Sequence, residues 1–341
     1  MKNILVTGGA GYIGSHTVVE LINSGFNPII VDDFRNSDPL ILAGIEKITN
    51  KEPLTYKIDI CNKEALEIVF KENQIYGIIH FAAYKAVGES VEFPLKYYFN
   101  NLVGLTTILE CMLEFSIENL VFSSSCTVYG EPAGVKEVTE NSRKVKPSSP
   151  YGNSKLISEN IIEDTFTANK HLKTICLRYF NPIGAHPSGQ IGELPHGKPN
   201  NLLPFVTQTA IGKHEKLTVF GRDYPTDDGT CIRDYIHVVD LAKAHVKTIK
   251  FLENEAEGLN DAFNIGTGKG TSVLEIIKKF EKISNQKLNW EFGKRRSGDV
   301  IEIYANAKKS FEILNWKAEL TVDDAIKDAW NWENTLKKFN R

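Results

Sequence analysis

Residues 3–17 read NILVTGGAGYIGSHT. A short β-rich run, Asn3–Thr7, leads straight into Gly8, Gly11 and Gly14, and a helical pattern covers Tyr12–Asn23. Glycine at these three places meets one physical demand each: a tight turn, close approach of backbone to a pyrophosphate, and a helix packed near its strand. The helix start then offers free N–H groups and a partial positive charge to phosphates. A second strand-like run, PIIVDD at 28–33, carries Asp32, 18 residues after Gly14. An acid there accepts from ribose hydroxyls and repels a 2′-phosphate, so the expected cofactor is NAD. Arg35 argues the other way, since a nearby arginine serves NADP.

Working outward, the alternation continues. Strand-like runs at 54–59 (LTYKID), 77–83 (GIIHFAA), 119–125 (NLVFSSS) and 173–180 (KTICLRYF) alternate with helical patterns at 63–71, 93–115 and 150–169. Apolar runs between helices indicate strands buried on both faces. The expected fold class is α/β: a doubly wound parallel sheet (Rossmann-type) with a smaller α/β substrate-binding domain. After Phe180 the texture changes, with five prolines and four glycines between 181 and 204, which reads as one long irregular segment. The division reads as 1–180 for the NAD-binding domain and 181–341 for the substrate-binding domain. Residues 236–266, a helix and the strand AFNIG, are candidates to return to the first.

The totals set bounds. Net charge is −3, which argues against a nucleic-acid binder. No window approaches 18 apolar residues, so no membrane span is expected. The N-terminal apolar run is too short for a signal peptide. Five cysteines lie far apart without a C-x-x-C, which suggests reduced thiols in the cytoplasm and no metal site. In NIGTGKGTSVLE, Lys269 is followed by Gly270 and not by Ser or Thr, so it is no phosphate loop. Its Ser272 and Glu275 form a helix capping box.

Tyr-x-x-x-Lys occurs twice, at Tyr151/Lys155 and Tyr304/Lys308, where chance supplies about one. Tyr151 opens a helix after Pro150, and SSSC with Ser125 lies upstream at a strand end, so both can face one ligand. Tyr304 has no such setting. A lysine at i+4 shares the tyrosine's helix face. At about 4 Å and an effective dielectric near 20, its charge favours the phenolate by about 4 kcal/mol, roughly three pKa units before desolvation. Tyr151 is therefore the expected base, Ser125 its helper, and Lys155 also a donor to the nicotinamide ribose. Asp59 could accept from the adenine amino group or merely cap its loop. Ala82 and Ala83 leave room for a cofactor, Lys85 could reach it or a sugar hydroxyl, and Asn100 lies in the same region.

These residues carry a resemblance. The loop, Ser125 and Tyr151-x-x-x-Lys155 resemble the extended short-chain dehydrogenase/reductases. FAAYKAVGES, RYFNPIGAHPSG, DGTCIRDYIHV and RRSGD are similar, more narrowly, to the UDP-glucose 4-epimerases, which PNNLLP also resembles. The resemblance implies inversion at C4 of a UDP-hexose through a transient 4-keto sugar. It completes the cofactor site with Tyr12, Ile13, Ile60, Phe81, Ser123 and Tyr179. It places UDP-sugar against Lys85, Phe180, Asn181, Asn201, Leu202, Thr218, Phe220, Arg233, Arg296 and Asp299. It makes Ile303, four residues after Asp299, the gate on the sugar's C2 side. It implies a homodimer packed through helices near 93–115 and 150–169. A 4,6-dehydratase would need an acid pair where Cys126 and Thr127 follow Ser125. A mere NAD-binding protein would have no use for Ser125, Tyr151 and Lys155 together.

Overall fold

The computed structural model describes residues 1–131, 134–296 and 300–338. Its strands, in chain order, are β1 (Asn3–Thr7), β2 (Asn27–Val31), β3 (Leu54–Tyr56), β4 (Ile75–His80), β5 (Asn119–Ser125), β6 (Glu137–Val138), β7 (Lys173–Tyr179), β8 (Asn181–Ile183), β9 (Leu217–Phe220), β10 (Ile232–His237), β11 (Leu259–Ile265), β12 (Gly270–Ser272), β13 (Trp290–Gly293) and β14 (Glu302–Ala305).

Side chains on a strand alternate between faces, and here both faces are buried. Ile4 and Val6 enter one apolar cluster while Leu5 enters another. Val121 joins the first, and Leu120 and Phe122 the second. Strands apolar on both sides need cover on both sides, which a parallel sheet with crossover helices provides. The result is a seven-stranded sheet in the order β11-β7-β5-β4-β1-β2-β3, every pairing parallel. The chain runs outward from β1 to β3, then crosses back to β4. The strand order thus reverses between β1 and β4, where ligands bind in such sheets.

β11 continues this sheet beyond β7, pairing from Leu259↔Lys173 to Ile265↔Tyr179. The helix before it, Val238–Asn254, contributes Leu241, Ala244 and Ile249 to the first cluster. The outer elements have their own core of Leu203, Val206, Val219, Ile277, Phe280 and Ile326. They include a small sheet ordered β12-β10-β14-β6 and the ribbon β13-β9.

One expectation gains a detail and another needs correction. The helical pattern over 93–115 divides into Pro94–Tyr98, a π-turn at Phe99–Val103 and Gly104–Glu114. The wider turn lets adjacent Asn100 and Asn101 both face inward, at 9% and 4% exposure. Asn101 bonds both backbone groups of Tyr84, accepting at 2.9 Å and donating at 3.1 Å. The Pro/Gly-rich stretch is also not irregular to its end: helix Leu202–Ala210 begins inside it, with Pro204 tolerated in the first turn.

The capping box is present. Ser272 Oγ accepts from Glu275 N at 3.0 Å and Glu275 accepts from Ser272 N at 2.7 Å. We expect Ser272→Ala to cost about 1 kcal/mol, lowering the melting midpoint by about 1–3 °C without loss of activity. Calorimetry checks it; an unchanged midpoint would mean that the cap contributes nothing.

Candidate active site

The cradle after β1 is built on contact distances. Gly8 has φ +69°, and a Cβ there would stand 2.8 Å from Ala82 N. A Cβ on Gly14 would stand 2.2 Å from Gly8 O. Neither place admits a side chain. Helix Tyr12–Asn23 starts at Gly11 with no side-chain cap and no acid in its first turn, so its N–H groups remain free for an anion. Asp32, 8% exposed, is fixed by Ala10 N at 3.0 Å, Phe34 N at 3.0 Å and Ser37 Oγ at 2.7 Å. Burial still raises its pKa above the usual carboxylate value. These features fit a dinucleotide: glycines where backbone must approach, free N–H groups for the pyrophosphate, and an acid for the ribose.

Arg35 is drawn into this end of the crevice. Its guanidinium pairs with Asp33 and Asp59 and donates to Asn100 Oδ1 at 3.1 Å. Two carboxylates already hold it, so it is poorly placed to take a 2′-phosphate. Asp59 also accepts Cys61 N at 2.9 Å, the loop-capping alternative. Ile60 is buried, and Ile13, Phe81 and Ala82 pack against the sheet's clusters. Ala83 is half-buried.

At the ends of β5 and β7 the predicted catalytic residues meet. Tyr151 lies beside Ser125, which is 7% exposed and whose hydroxyl favours the ionised phenol. Helix Pro150–Ala168 is aimed by Ser149, whose hydroxyl caps Gly152 N at 3.1 Å. Lys155, 4% exposed, does not turn to the phenol: its Nζ donates to Ser123 O at 2.6 Å. Ser123 in turn bonds the Tyr179 hydroxyl. The predicted lowering of the phenol is therefore corrected. Burial pushes Tyr151 up to about 12, and the Ser125 hydroxyl only partly opposes it. Burial pushes Lys155 down to about 8. The sequence argument set the charge before desolvation and let the charge win; in the fold desolvation acts on both partners and outweighs it.

Tyr304 is in β14, and Lys308 opens the separate helix Lys308–Leu314, so those two share no helix face. Cys126, beside Ser125, is pushed up to about 12 by burial and is no acid at neutral pH.

The outer residues form two groups. Arg296 lies over the Phe220 ring at 5.0 Å, on the ribbon that also carries Thr218. Arg233 and Ile303 are paired across β10 and β14. Ile303 is 4% exposed and packs with Phe180, Tyr129 and Val128. Asn181 begins β8, and Leu202 begins its helix. Asp299 lies outside the described residues. Lys85 and Asn201 meet on a residue that sequence reasoning missed. Glu193 Oε1 accepts Lys85 Nζ at 3.0 Å and Asn201 Nδ2 at 2.6 Å. Nothing local marks it, because Lys85 stands 108 residues away.

The sequence profile of the NAD dependent epimerase/dehydratase family matches residues 4–266. The chain belongs to that family. It is 49% identical to the UDP-glucose 4-epimerase of Bacillus subtilis, over 97% of each chain. It is 50% identical to the bifunctional protein GAL10 of Pachysolen tannophilus over 97% of its own length, and spans 49% of that longer relative. The UDP-glucose 4-epimerase of Bifidobacterium longum, solved with NAD+ and UDP, superposes with TM-score 0.95 at 45% identity, over 98% of each chain.

Among the described residues no group of three or more His, Cys, Asp or Glu is placed to hold a metal, and no helix is long and apolar enough to cross a membrane. All five cysteines are free. Replacing Tyr151 by Phe removes the acidic proton and keeps the ring. We expect kcat to fall by roughly 10²–10⁴-fold with NAD still bound, and Tyr304→Phe to stay within about twofold. Equal losses in the two variants would refute the assignment.

Proposed function

We infer that the chain interconverts UDP-galactose and UDP-glucose by inverting C4 of the hexose, with NAD as cofactor, as an isomerase of galactose metabolism. The observation that carries this reading is Tyr151 set beside Ser125, whose hydroxyl favours its ionised form, next to an uncapped glycine cradle. It occurs in a chain that matches an epimerase over 97% of both lengths.

The chain's residues divide the work. Gly8, Gly11 and Gly14 admit the pyrophosphate, and Asp32 takes the adenosine ribose hydroxyls. NAD bound there supplies reversible hydride acceptance at C4. Tyr151 removes and returns the proton of the 4-hydroxyl, while Ser125 holds that oxygen against the phenol. Lys155 brings positive charge to the same corner and a donor for the nicotinamide ribose. On the outer lobe Arg233 and Arg296 hold the diphosphate, since a planar guanidinium matches phosphate oxygens. Phe220 stacks near uracil, and Asn181 and Asn201 take sugar or phosphate oxygens.

The division at 180/181 goes with these roles, and 236–266 belongs with the NAD-binding half. A homodimer is supported by apolar side chains left exposed on the segment 91–99: Val91 at 61%, Phe93 at 55%, Leu95 at 79% and Phe99 at 66%. A second copy packed along this segment and helix Pro150–Ala168 would cover them. Scattered free thiols suit the cytoplasm.

The purified protein should convert UDP-galactose to UDP-glucose without added NAD, and release NAD on denaturation. Returning the hydride each cycle gives the enzyme no reason to release its cofactor. An NAD-loaded protein that leaves UDP-galactose unchanged overturns the reading.

Ile303 sets the second test. It and Ala305 point into the buried cluster while Tyr304 points away, as alternation requires. An isoleucine is shorter than a tyrosine, so the pocket should admit a 2-N-acetyl sugar slowly. Ile303→Tyr should lower kcat/KM for UDP-N-acetylgalactosamine relative to UDP-galactose by about tenfold or more. An unchanged ratio removes Ile303 as the gate.

A further inference from the structure

Behind the catalytic serine, Glu159 sits 5% exposed, one helical turn beyond Lys155. Its carboxylate accepts four hydrogen bonds. Ser124 Oγ donates to Oε1 at 2.6 Å, and Arg178 Nε to the same oxygen at 2.9 Å. Arg178 Nη2 and Lys144 Nζ donate to Oε2 at 2.8 and 2.7 Å. Two donors adjoin the site: Ser124 precedes Ser125 on β5, and Arg178 precedes Tyr179 on β7. Arg178 also donates to the Tyr129 hydroxyl at 3.1 Å, in the turn that follows Ser125. One carboxylate thus ties together the helix of Tyr151 and Lys155, the strand of Ser125, and the strand of Tyr179.

The same group decides the charge around Lys155. The titratable groups about that ammonium are Tyr151 and Glu159 on its own helix, Cys176 and Tyr179 on β7, and His80 on β4. Burial pushes Tyr151 up to about 12, raises Tyr179 well above the usual phenol range, raises the Cys176 thiol far above its own, and holds His80 down to about 3. All four are neutral at pH 7. Burial alone would raise Glu159, but Arg178 and Lys144 bring it below the usual carboxylate value. Glu159 is the anion of the group.

We propose that Glu159 is a positioning residue of the epimerase reaction, holding the Ser125 strand against the Tyr151 helix and supplying the counter-charge for the buried Lys155 ammonium. The proposal rests on the reading of Tyr151 and Lys155 given above. The favourable charge is present at low pH and is lost as pH rises through the Lys155 pKa. Removing the carboxylate leaves Arg178, Lys144 and Lys155 as three cations without it, so the ammonium gives up its proton at lower pH. Removing Lys144 frees the carboxylate to act on Lys155, with the opposite sign.

The test titrates Lys155 itself in the NAD-loaded protein. Lysine labelled with carbon-13 at Cε is followed by NMR, with Lys155→Met assigning the signal, and the alkaline limb of kcat is recorded alongside. In Glu159→Gln, which keeps the shape and an acceptor for Ser124, signal and limb should move down by roughly 0.5–1 pH unit. In Lys144→Gln they should move up. Glu159→Asp, which keeps the charge, should cancel most of the shift. A merely structural role would lower stability in both variants and move neither titration. Shifts in the same direction, or no shift in either, overturn the proposal. Should Glu159→Gln not fold, Lys144→Gln decides: a fixed or lowered Lys155 pKa overturns it. A wild type inactive on UDP-galactose would overturn the functional reading instead, and the NMR titration would still judge Glu159.

Discussion

A methyl group on Gly14 would stand 2.2 Å from the carbonyl oxygen of Gly8, and one on Gly8 would stand 2.8 Å from the backbone of Ala82. This stacking of bare backbone at the reversal of strand order is the constraint on which the rest depends. It brings the first helix down onto β1 with its N–H groups open. It brings the end of β4 against the same loop. It also fixes which edge of the sheet is usable, because β5 and β7 end on that edge too, and they carry Ser123, Ser125 and Tyr179. A side chain in either glycine position would separate elements whose contact makes the crevice.

What could be read in advance follows from how local its cause is. The glycine loop, the capping box of Ser272 and Glu275, and the pairing of Tyr151 with Ser125 each rest on residue types at short spacing or at strand ends. The π-turn at Phe99–Val103 rests on Asn100 and Asn101 finding partners in Arg35 and Tyr84. No periodicity announces that. Glu193 is a plain acid in a Pro/Gly-rich stretch until the fold brings Lys85 to it. Helix Leu202–Ala210 was hidden because prolines read as breakers, although one in a first turn breaks nothing.

Burial accounts for the one reversed sign. A lysine on the same helix face lowers a phenol's pKa when both are solvated. Here both are buried, and burial favours the neutral form of each. The phenol keeps its proton and the ammonium is weakened. The free protein thus holds the phenol in its protonated form. A tyrosine that ionised on its own at neutral pH would carry a buried anion through every idle moment.

The outer elements solve a different problem. A sugar that must present both faces of C4 cannot be gripped hard at the ring, so affinity has to come from elsewhere on the ligand. Binding energy from non-reacting parts can carry that load. The groups fitted to it, Arg296 over Phe220 and Arg233 at the β10–β14 pairing, are cationic or flat, and suit a diphosphate and a base. Around Ser125 the surroundings are different: the neighbouring hydroxyls of Ser123 and Ser124, and a backbone held from behind by Glu159 and Arg178. Rigid polar ties lie behind the strand, and the diphosphate and base of the ligand are left to the outer lobe.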